Sequence, residues 1–295
     1  MKIRIGSRGS DLALWQANFV KDQLEKLGHE VTIQIIVTKG DRIQNLSFDK
    51  IEGKGFFTKE IEEALLRNEV DLAVHSHKDL ETTNPEGLII GAVSYRENPA
   101  DLLLIHKSAV DESQPWKLKK NAVIGTSAAR RKSQLLRLRP DCTIQDLRGN
   151  VPTRVQKLRD GNYDAIVLAA AGVERLKLDM TGIQTVQFTE EEFIPAPAQG
   201  VLGLQIREKD TDLKEALKAI HHPDVQESIA VERDVMRMME GGCQLPLGVY
   251  CQKIKNQFFV KVSFSSSSSQ PGKVLSYHAD NTIGLAQKIV SDLKK

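Results

Sequence analysis

The sequence is poor in the features that mark membrane and secreted proteins. No apolar run approaches the roughly 20 residues that a bilayer span requires. The three cysteines, Cys142, Cys243 and Cys251, are odd in number and widely spaced, without the paired Cys-x-x-Cys of a zinc site or a redox dithiol. The opening MKIRIGSRGS lacks the apolar core and the cleavage site of a secretory signal. We expect a cytoplasmic protein with no metal and no membrane partner, in which any special cysteine acts as a nucleophile or an attachment point.

Low aromatic content and balanced charge argue against a nucleic-acid partner. The 41 basic and 39 acidic residues leave a formal net charge of +2, whereas a duplex binder carries an excess of positive charge. A binder of single strands needs aromatic side chains on which bases stack. The basic stretch 130–159 has only Tyr163 nearby, and aromatic residues make up 5% of the chain. We therefore expect no nucleic-acid partner.

The chain length and the alternation of predicted strands and helices indicate two α/β lobes. At roughly 100 to 200 residues per domain, a chain of 295 residues favours two or three domains. The first third alternates as in a parallel sheet, with strands at 2–6, 31–38 and 71–75 and helices at 11–27 and 58–68. The middle third repeats this pattern, with strands at 102–105, 122–125 and 164–170 and a basic helix to Arg139 that Ser127 is expected to cap.

Two strand-to-helix turns suggest that the lobes are alike. Ile5-Gly6-Ser7 and Ile124-Gly125-Thr126 each end a strand and are followed by hydroxyl and arginine residues. Ligands of such sheets bind beyond the carboxyl ends of the strands, so we expect two facing lobes and a cleft. The stiff segment 195–200 is expected to cross over, and the strand at 201–206 to return to the first lobe's sheet.

The last third predicts a small α+β domain. It contains a helix at 225–239, strands at 248–254, 258–264 and 273–278, and a closing helix at 282–293. The serine run 265–269 is typical of a hairpin loop rather than of a functional motif.

The placement of five arginines predicts an anion site. Each is expected just after a strand or in the first turn of the next helix: Arg130, Arg131, Arg148, Arg154 and Arg175. Free N–H groups at helix N-termini and guanidinium forks both bind carboxylates. The bound ligand is therefore expected to be polyanionic. The alternative for any one of them is a solvated surface arginine, and Arg137, Arg139 and Arg159 are expected to be that.

Asp79 ends the predicted strand segment 74–79. A carboxylate at this end of a strand, facing an arginine-rich cleft, can stay ionised and stabilise a developing cation. The alternative is a turn aspartate that only caps a loop. His75 and His77 alternate along the strand, so they should point to opposite faces and make a poor metal pair.

Cys243 lies in the loop sequence EGGCQLPLG, residues 240–248. Two glycines before it and a proline after it can bring its backbone close to another group, and its thiol could be accessible. The alternative is an inert small hydrophobe at the start of a strand.

Several unusual motifs occur in order along essentially the whole chain: Arg4-Ile5-Gly6-Ser7-Arg8-Gly9-Ser10 with Leu12-Ala13-Leu14-Trp15-Gln16, Gly53-Lys54-Gly55 with Phe57 and Lys59, His75-Ser76-His77-Lys78-Asp79, Gly125-Thr126-Ser127 with Arg130-Arg131, Leu147-Arg148-Gly149-Asn150 with Thr153-Arg154, and Glu240-Gly241-Gly242-Cys243-Gln244. With these motifs the chain closely resembles the porphobilinogen deaminase (hydroxymethylbilane synthase) family.

The resemblance implies a fold and an activity. It implies two lobes like those of type II periplasmic binding proteins around a cleft, 1–98 plus 198–216 and 99–197, and a small α+β domain, 217–295, that carries the cysteine loop. It also implies head-to-tail addition of four porphobilinogen molecules with loss of ammonia, on a dipyrromethane cofactor joined by a thioether to Cys243. The implied product is hydroxymethylbilane, for tetrapyrrole (haem) biosynthesis, and the implied state is a monomer.

The resemblance also implies residue roles. Asp79 would contact pyrrole nitrogens and stabilise the cationic azafulvene-like species formed when ammonia leaves. Cofactor binding is assigned to Cys243, Lys78, Asp79, Thr126, Ser127, Arg130 and Arg131. Carboxylates of porphobilinogen or of the growing chain are assigned to Arg8, Ser10, Arg148, Arg154 and Arg175. Up to six rings, each with an acetate and a propionate, match so many arginines.

The chain departs from the family pattern at a few positions. Ala128 stands where a small hydroxyl residue is usual, which removes one carboxylate contact. Leu80-Glu81 replaces a proline-containing sequence, His77 replaces a methionine, and Ala198 replaces a glycine. None of these touches the cysteine, the aspartate or the arginines, so we expect an active enzyme whose cofactor affinity is altered at most.

The main alternative is a non-catalytic receptor for small anions, since the same two-lobe cleft serves such proteins. It predicts no role for Cys243, and the two interpretations differ in the mass that a covalent cofactor adds.

Overall fold

The computed structural model describes residues 1–42, 57–240, 242 and 244–295. These residues form two compact units. Unit 1 comprises Met1–Glu97 and Gly200–Glu227, and unit 2 comprises Asn98–Gln199 and Ser228–Lys295. The division into three domains stays a prediction.

Unit 1 is built on one five-stranded sheet. In pairing order its strands are β2 (Glu30–Ile35), β1 (Lys2–Ser7), β3 (Leu72–Ser76), β10 (Leu202–Arg207) and β4 (Leu88–Val93). β1 runs parallel to β2 and β3, whereas β10 runs antiparallel to β3 and β4. The strand predicted at 201–206 therefore does join the first lobe's sheet.

Helices cover the sheet of unit 1: α1 (Asp11–Lys26), α2 (Lys39–Arg42), α3 (Lys59–Leu66) and α7 (Thr211–Leu217). α1 packs Val20 and Leu24 into a core with Ile3 and Ile5 of β1. The opposite face of the sheet packs against α3, in a cluster that includes Ile61 and Leu65. α1 ends where Gly28 takes a φ of 84°, as the sequence predicts.

The first sheet of unit 2 also has five strands. They are β7 (Thr143–Gln145), β6 (Val123–Gly125), β8 (Ala165–Ala169), β5 (Asp101–His106) and β9 (Ile183–Gln187). Its helices are α4 (Ala129–Leu138), α5 (Val151–Arg159) and α6 (Ala170–Leu176). β6 is parallel to β7 and β8, and β5 is antiparallel to β8 and β9.

The two five-stranded sheets have equivalent strand orders and directions. β1 corresponds to β6, β3 to β8, and the antiparallel β10 to β5. The turn after β1 and the turn after β6 therefore occupy the same place in their sheets. The predicted fold class, two similar α/β lobes with a small α+β part, is confirmed.

The third sheet is an antiparallel meander of β11 (Leu247–Ile254), β12 (Gln257–Phe264) and β13 (Lys273–Ala279). α8 (Pro223–Met238) and α9 (Leu285–Leu293) pack on it, and Val235, Val249 and Ile289 are among its fully buried side chains. The serine run lies between β12 and β13, as predicted for a hairpin loop. The closing helix begins at Leu285, three residues later than predicted.

Three strands have no counterpart in the sequence prediction: β4, β7 and β9. β7 is three residues long, and β4 and β9 lie at sheet edges where one side of the strand has no partner. β9 (IQTVQ) carries only a weak hydrophobic pattern, whereas β4 (LIIGAV) is an apolar run that the sequence analysis left unassigned.

Candidate active site

The turn after β1 holds Arg8 through a neighbouring aspartate. Arg8 Nε donates to Asp41 Oδ1 at 3.1 Å, and Asp41 Oδ2 accepts from Thr38 N at 3.1 Å and from its hydroxyl at 2.7 Å. The guanidinium lies 4.2 Å from the centroid of the Phe57 ring. Burial opposes the ionisation of Asp41, but the hydrogen bonds from Arg8 and Thr38 outweigh it and lower the pKa of this carboxyl. Arg8 is thus an ordered, paired cation.

A small cavity of ≈ 80 Å³ opens beside this turn in unit 1. Arg8, Ser10, Phe57, His75 and Asp79 are among the residues that line it. Three residues that the sequence singled out separately therefore meet here, one acid, one arginine and one hydroxyl. Ser10 also caps α1, because its Oγ accepts a hydrogen bond from Ala13 N at 3.4 Å.

Asp79 does not end a strand, contrary to the prediction. β3 ends at Ser76, and His77–Asp79 form a single turn of 3₁₀ helix. The alternation of side chains along a strand therefore does not extend to His77, and the argument that His75 and His77 point to opposite faces is wrong in its premise. The turn leaves the Asp79 side chain exposed at the carboxyl end of β3, with Lys78 half-buried beside it.

A hydrogen-bonded chain of buried side chains runs behind His75. His75 Nε2 lies 3.1 Å from Gln205 Oε1, and Gln205 Nε2 donates to Glu62 Oε1 at 3.0 Å. Because the amide donates to the carboxylate, its oxygen faces the ring and His75 donates from Nε2. Burial lowers the pKa of His75 to about 4, and the bond to Gln205 offsets only part of this. His75 is therefore a neutral wall of the cavity at neutral pH.

Ser127 is not the cap of α4, contrary to the prediction. The residue at the cap position is Ala128, which offers no side-chain hydrogen bond. Ser127 Oγ instead bonds to the backbone of Leu147, donating to its oxygen and accepting from its N–H at 3.0 Å each. Thr126 Oγ1 accepts from Ala128 N at 3.3 Å. Both hydroxyls thus shape the turn after β6 from within.

Arg130 and Arg131, in the first turn of α4, converge on the buried Asp101 of β5. Arg130 Nη1 lies 2.7 Å from Asp101 Oδ2, and Arg131 Nη2 lies 2.7 Å from Asp101 Oδ1. Asp101 is fully buried, and each arginine side chain is 7% exposed. We call these three residues the Asp101 cluster. It lies at the carboxyl end of β8, where Asp101 pairs with Ala169.

The other predicted arginines of unit 2 divide into two settings. Arg148 and Arg154 flank the N-terminus of α5, and Arg154 Nε donates to Gly149 O at 2.7 Å. Gly149 has a φ of 112°, which a residue with a side chain rarely adopts. Arg175 is buried in the last turn of α6, so the prediction that it follows a strand directly or lies in a first turn is wrong.

Arg139 was expected to be a solvated surface residue, and this is wrong. Its side chain is 5% exposed; it pairs with Asp141 at 2.8 Å and donates to the carbonyl oxygens of Leu118 and Lys119. It closes the end of α4 rather than an anion site. Only its position along the helix, and not its residue type, separates it from Arg130.

Cys243 and the Gly53-Lys54-Gly55 motif lie outside the described residues. The flanks of Cys243 are described: α8 ends at Met238 and β11 begins at Leu247. The other two cysteines are buried free thiols, and burial raises the pKa of Cys142 to about 11. Cys142 is therefore a poor nucleophile at neutral pH, and Cys251 is buried in the core of the third sheet.

Asp101, Asp41 and Gln205 order the candidate site, and the sequence did not single them out. Each is a partner of a predicted residue but is distant from it in sequence: Asp101 by 30 positions from Arg131, Asp41 by 33 from Arg8, and Gln205 by 130 from His75. The one available signal was an aspartate at the very start of the apolar run DLLLI, residues 101–105.

Across the described ranges, no group of three or more histidine, cysteine or acidic side chains is arranged to hold a metal ion. In the same part of the chain, none of the helices has the length and apolar character needed to cross a membrane.

Two family models match the chain. The model described as "Porphobilinogen deaminase, dipyromethane cofactor binding domain" matches residues 3–215. The model described as "Porphobilinogen deaminase, C-terminal domain" matches residues 226–267.

Curated relatives carry the same description over most of their length. A porphobilinogen deaminase of a Nitratiruptor species is 45% identical over 260 residues, 87% of this chain and 80% of that protein. One of Desulforamulus reducens is 40% identical over 290 residues, 98% of this chain and 91% of that protein.

Solved structures of periplasmic binding proteins are distantly similar. One from Salmonella typhimurium with high arginine specificity has a TM-score of 0.41 and 11% identity, covering 78% of this chain and 93% of that one. The fold class of the present chain rests on the strand orders described above.

Proposed function

This chain belongs to the porphobilinogen deaminase family, and we propose which of its residues carry that family's activity. The enzyme joins four porphobilinogen molecules head to tail, releases ammonia at each addition and yields hydroxymethylbilane for tetrapyrrole synthesis. It uses a dipyrromethane cofactor. The observation that carries the residue assignments is the buried arginine pair at the carboxyl end of β8.

The residues of unit 2 suit a group that bears carboxylates. Two guanidinium groups face one carboxylate in the Asp101 cluster, so the cluster has one positive charge in excess. A carboxylate is the ligand that a guanidinium fork binds best. We assign Arg130 and Arg131, with Thr126 and Ser127 in the preceding turn, to the cofactor carboxylates. When bound, the cofactor supplies the pyrrole carbon to which the first porphobilinogen is joined.

Cys243 is the proposed point of attachment. Cys142 and Cys251 are buried in cores, and the pKa of Cys142, raised to about 11 by burial, leaves little thiolate at neutral pH. Cys243 lies in the connection between α8 and β11, preceded by two glycines. Its thiolate would attack the aminomethyl carbon of the first pyrrole unit and form the thioether bond as the bond from that carbon to nitrogen breaks and ammonia leaves.

Asp79 is the proposed catalytic residue. Each addition breaks the bond between the aminomethyl carbon of porphobilinogen and its nitrogen, which leaves positive charge on the pyrrole. A carboxylate near the ring nitrogen stabilises that charge, and Asp79 is exposed on the cavity that Arg8 and Ser10 also line. The free pyrrole carbon that attacks then loses its proton, and the departing ammonia leaves as ammonium.

Substrate carboxylates and the growing chain are assigned to the remaining cations. Arg8 and Ser10 lie on the cavity of unit 1, and Lys78 precedes Asp79 in the 3₁₀ turn. We assign Lys78 to the cofactor, and Arg8 and Ser10 to porphobilinogen. Arg148, Arg154 and Arg175 are assigned to the growing chain, because the number of carboxylates rises by two with each added ring.

We further infer a cytoplasmic monomer of three domains, 1–98 plus 198–216, 99–197 and 217–295, without a nucleic-acid or membrane partner. Each of the three sheets has a buried core of its own, which supports three domains. A buried thiol that forms no disulfide, such as that of Cys142, is typical of a reducing compartment. Light scattering after gel filtration gives the molar mass, and a dimer would contradict the inference.

Intact-protein mass spectrometry tests the assignment of Cys243. The protein as purified is expected to carry the mass of one dipyrromethane, and Cys243→Ser is expected to lack it and to show no deaminase activity, since a hydroxyl is a far weaker nucleophile than a thiolate at neutral pH. Cys142→Ser is the matched control and should keep the adduct. An anion receptor without catalysis would show neither adduct nor ammonia release with porphobilinogen.

A further inference from the structure

The Asp101 cluster contains more positive charge than its own residues neutralise. Arg130 and Arg131 both form ion pairs with Asp101, and neither does so with any other carboxylate of the described residues. A buried ion of one sign without a counterion is strongly unfavourable. One further negative charge would therefore neutralise the cluster.

The two arginines are not equivalent. All three nitrogens of Arg131 are used inside the protein: Nε and Nη2 donate to Asp101 Oδ1 at 3.2 and 2.7 Å, and Nη1 donates to Val167 O at 2.9 Å. Arg130 uses Nη1 alone, which donates to Ile194 O at 2.8 Å and lies beside Asp101 Oδ2. Its Nε and Nη2 form no hydrogen bond with the described residues, so Arg130 retains one free edge.

Asp101 is held firmly enough to orient both arginines. Its Oδ1 accepts from Arg131 and from Gln199 Nε2 at 3.1 Å, and the same Gln199 nitrogen donates to Pro99 O at 2.7 Å. Burial alone would raise the pKa of Asp101, but the charges of Arg130 and Arg131 outweigh it and hold the pKa below its usual range. The carboxylate is ionised and fixed at neutral pH.

We propose that Asp101 is a positioning residue that holds Arg130 with one edge free at the carboxyl end of β8, and that a carboxylate of the bound pyrrole cofactor supplies the missing anion through that edge. Arg131 then contributes to cofactor binding by fixing Asp101, which revises the direct role assigned to it above. The proposal rests on the proposed function for Cys243 and Arg130, and goes beyond it by separating the two arginines and adding Asp101.

The test compares Asp101→Asn with a matched control elsewhere in the fold. Asp71 also pairs with two arginines, Arg4 and Arg207, but Asp210 supplies a second carboxylate there. Asp71→Asn thus makes the same chemical change where charge is balanced. Each full-length protein is prepared without cofactor, in a host that makes no porphobilinogen, and again after loading, with the adduct measured by intact mass.

Melting temperature in the two states gives the answer. In Asp101→Asn, two buried guanidinium groups lose their counterion, and bound carboxylates can replace it. We expect the melting temperature gained on loading to exceed that of the unmodified protein by at least about 5 °C. Asp71→Asn should lower both states equally. If Asp101→Asn also lowered the melting temperature equally in the unloaded and loaded states, the proposal would be overturned, because Asp101 would then be only a core residue.

Two double variants cover the case in which Asp101→Asn does not load. Asp101→Asn/Arg131→Leu and Asp101→Asn/Arg130→Leu both restore an excess of one charge, so both should regain melting temperature over Asp101→Asn. Only the first keeps Arg130, and only it should acquire the adduct, more slowly than the unmodified protein because Asp101 no longer positions the guanidinium group. Equal loading of the two, or no recovery in either, contradicts the proposed division of roles. Absence of an adduct in the unmodified protein would instead contradict the proposed function, which separates the two failures.

Discussion

The molecule contains two arginine–aspartate clusters, and only one of them has unequal charge. In the Asp71 cluster, which we define as Arg4, Asp71, Arg207 and Asp210, two arginines meet two carboxylates at distances of 2.8 to 3.0 Å. In the Asp101 cluster two arginines meet one carboxylate. The first lies where β1 and β3 begin, and the second where β8 ends. The cluster of equal charge thus lies at the end of its sheet where the parallel strands begin, and the cluster of unequal charge at the end where they finish.

The difference offers a criterion for separating a buried arginine with a structural role from one that we propose to bind a ligand. Arg207 and Arg131 have comparable burial, and both donate to backbone carbonyl oxygens. Burial and hydrogen bonding therefore do not separate the clusters. The count of opposite charges does, because a protein has to neutralise buried charge with its own residues or with a ligand.

The two ends of β3 repeat the contrast within one strand. Asp71 precedes β3 and pairs with Arg4 and Arg207; burial opposes its ionisation, but the hydrogen bonds from Arg4 and Arg207 lower its pKa to about 2. Asp79 follows the strand and is exposed. One carboxylate is committed to the fold, and the other is available to a ligand.

The largest expected effect on stability comes from breaking the balanced cluster. Arg207→Leu leaves Asp71 paired with Arg4 but removes the arginine that pairs with Asp210. Breaking a buried pair of this kind costs about 3–5 kcal/mol of unfolding free energy. Arg130→Leu removes the excess charge of the Asp101 cluster, so its cost should stay below about 2 kcal/mol. Urea unfolding at pH 7 measures both, and intact mass measures loading.

Cofactor loading should be affected in the reverse order, more by Arg130→Leu than by Arg207→Leu. Folded Arg207→Leu protein is expected to carry the dipyrromethane adduct, and Arg130→Leu protein to lack it. Equal destabilisation by the two substitutions, with equal loading, would remove the distinction between the clusters.

Asp79→Asn tests the exposed end of β3. We expect turnover to fall by at least about a hundredfold, the scale of one lost electrostatic contact in a transition state. The free energy of unfolding should change by less than about 0.5 kcal/mol, because the side chain is exposed. Asp71→Asn should cost about 1–3 kcal/mol and leave turnover of the loaded enzyme unchanged. Steady-state kinetics that show less than a threefold loss for Asp79→Asn would exclude an essential charge there.

The sequence predicted the parts of the fold that depend on local pattern. Buried strands such as β3 and β8, and helices with a clear start such as α1, follow from apolar runs and capping residues. The similarity of the two lobes followed from two short turns. The polar strand β9 and the three-residue strand β7 did not, because their pairing partners decide their structure.

For the candidate site, the sequence singled out the charged residues that we propose to bind a ligand, but not the residues that hold them. Arg130 was identified from its place in the first turn of a helix. Asp101 was missed because its contact with Arg130 depends on how β5 enters the sheet. Ser127 was assigned to the wrong role for a related reason. Its hydroxyl reaches Leu147, 20 residues later, and this contact displaces the local cap.

Acid unfolding extends the comparison to a third buried group, His75. Neither aspartate cluster should lose charge in the pH range in which protonation of His75 affects stability. The pKa of Asp71 is about 2 and that of Asp101 is also lowered, so their contributions persist until the pH falls below the ordinary value of 3.8. The pKa of His75 is lowered by burial to about 4, from 6.5. Below pH 6.5 the unfolded chain gains a proton at this position that the folded chain does not. The free energy of unfolding therefore decreases as the pH is lowered.

The expected loss from His75 is about 1.4 kcal/mol per pH unit, or about 2 kcal/mol between pH 6.5 and 5. His75→Gln removes the titrating group, and its unfolding free energy should decline less steeply over this range by that amount. His221, whose pKa is also lowered by burial, remains in both proteins and cancels in the difference. Parallel curves for the two proteins would show that His75 is protonated in the folded state and that the cavity wall is not neutral.

The smallest expected effect compares the two helix starts that follow the equivalent turns. Ser10 caps α1 with its side chain, whereas Ala128 at the start of α4 offers none. Ala128→Ser places an oxygen where it can accept the backbone N–H of Arg130 or Arg131. The gain should be about 1 kcal/mol in the unloaded chain, and Ser10→Ala should lose a similar amount. A bound carboxylate can use the same N–H groups, so the gain should shrink on loading if the cofactor reaches this turn. Urea unfolding of the unloaded and loaded proteins measures this gain. If Ala128→Ser stabilised both equally, the cofactor carboxylate would contact the Arg130 side chain and not the backbone N–H groups of this turn.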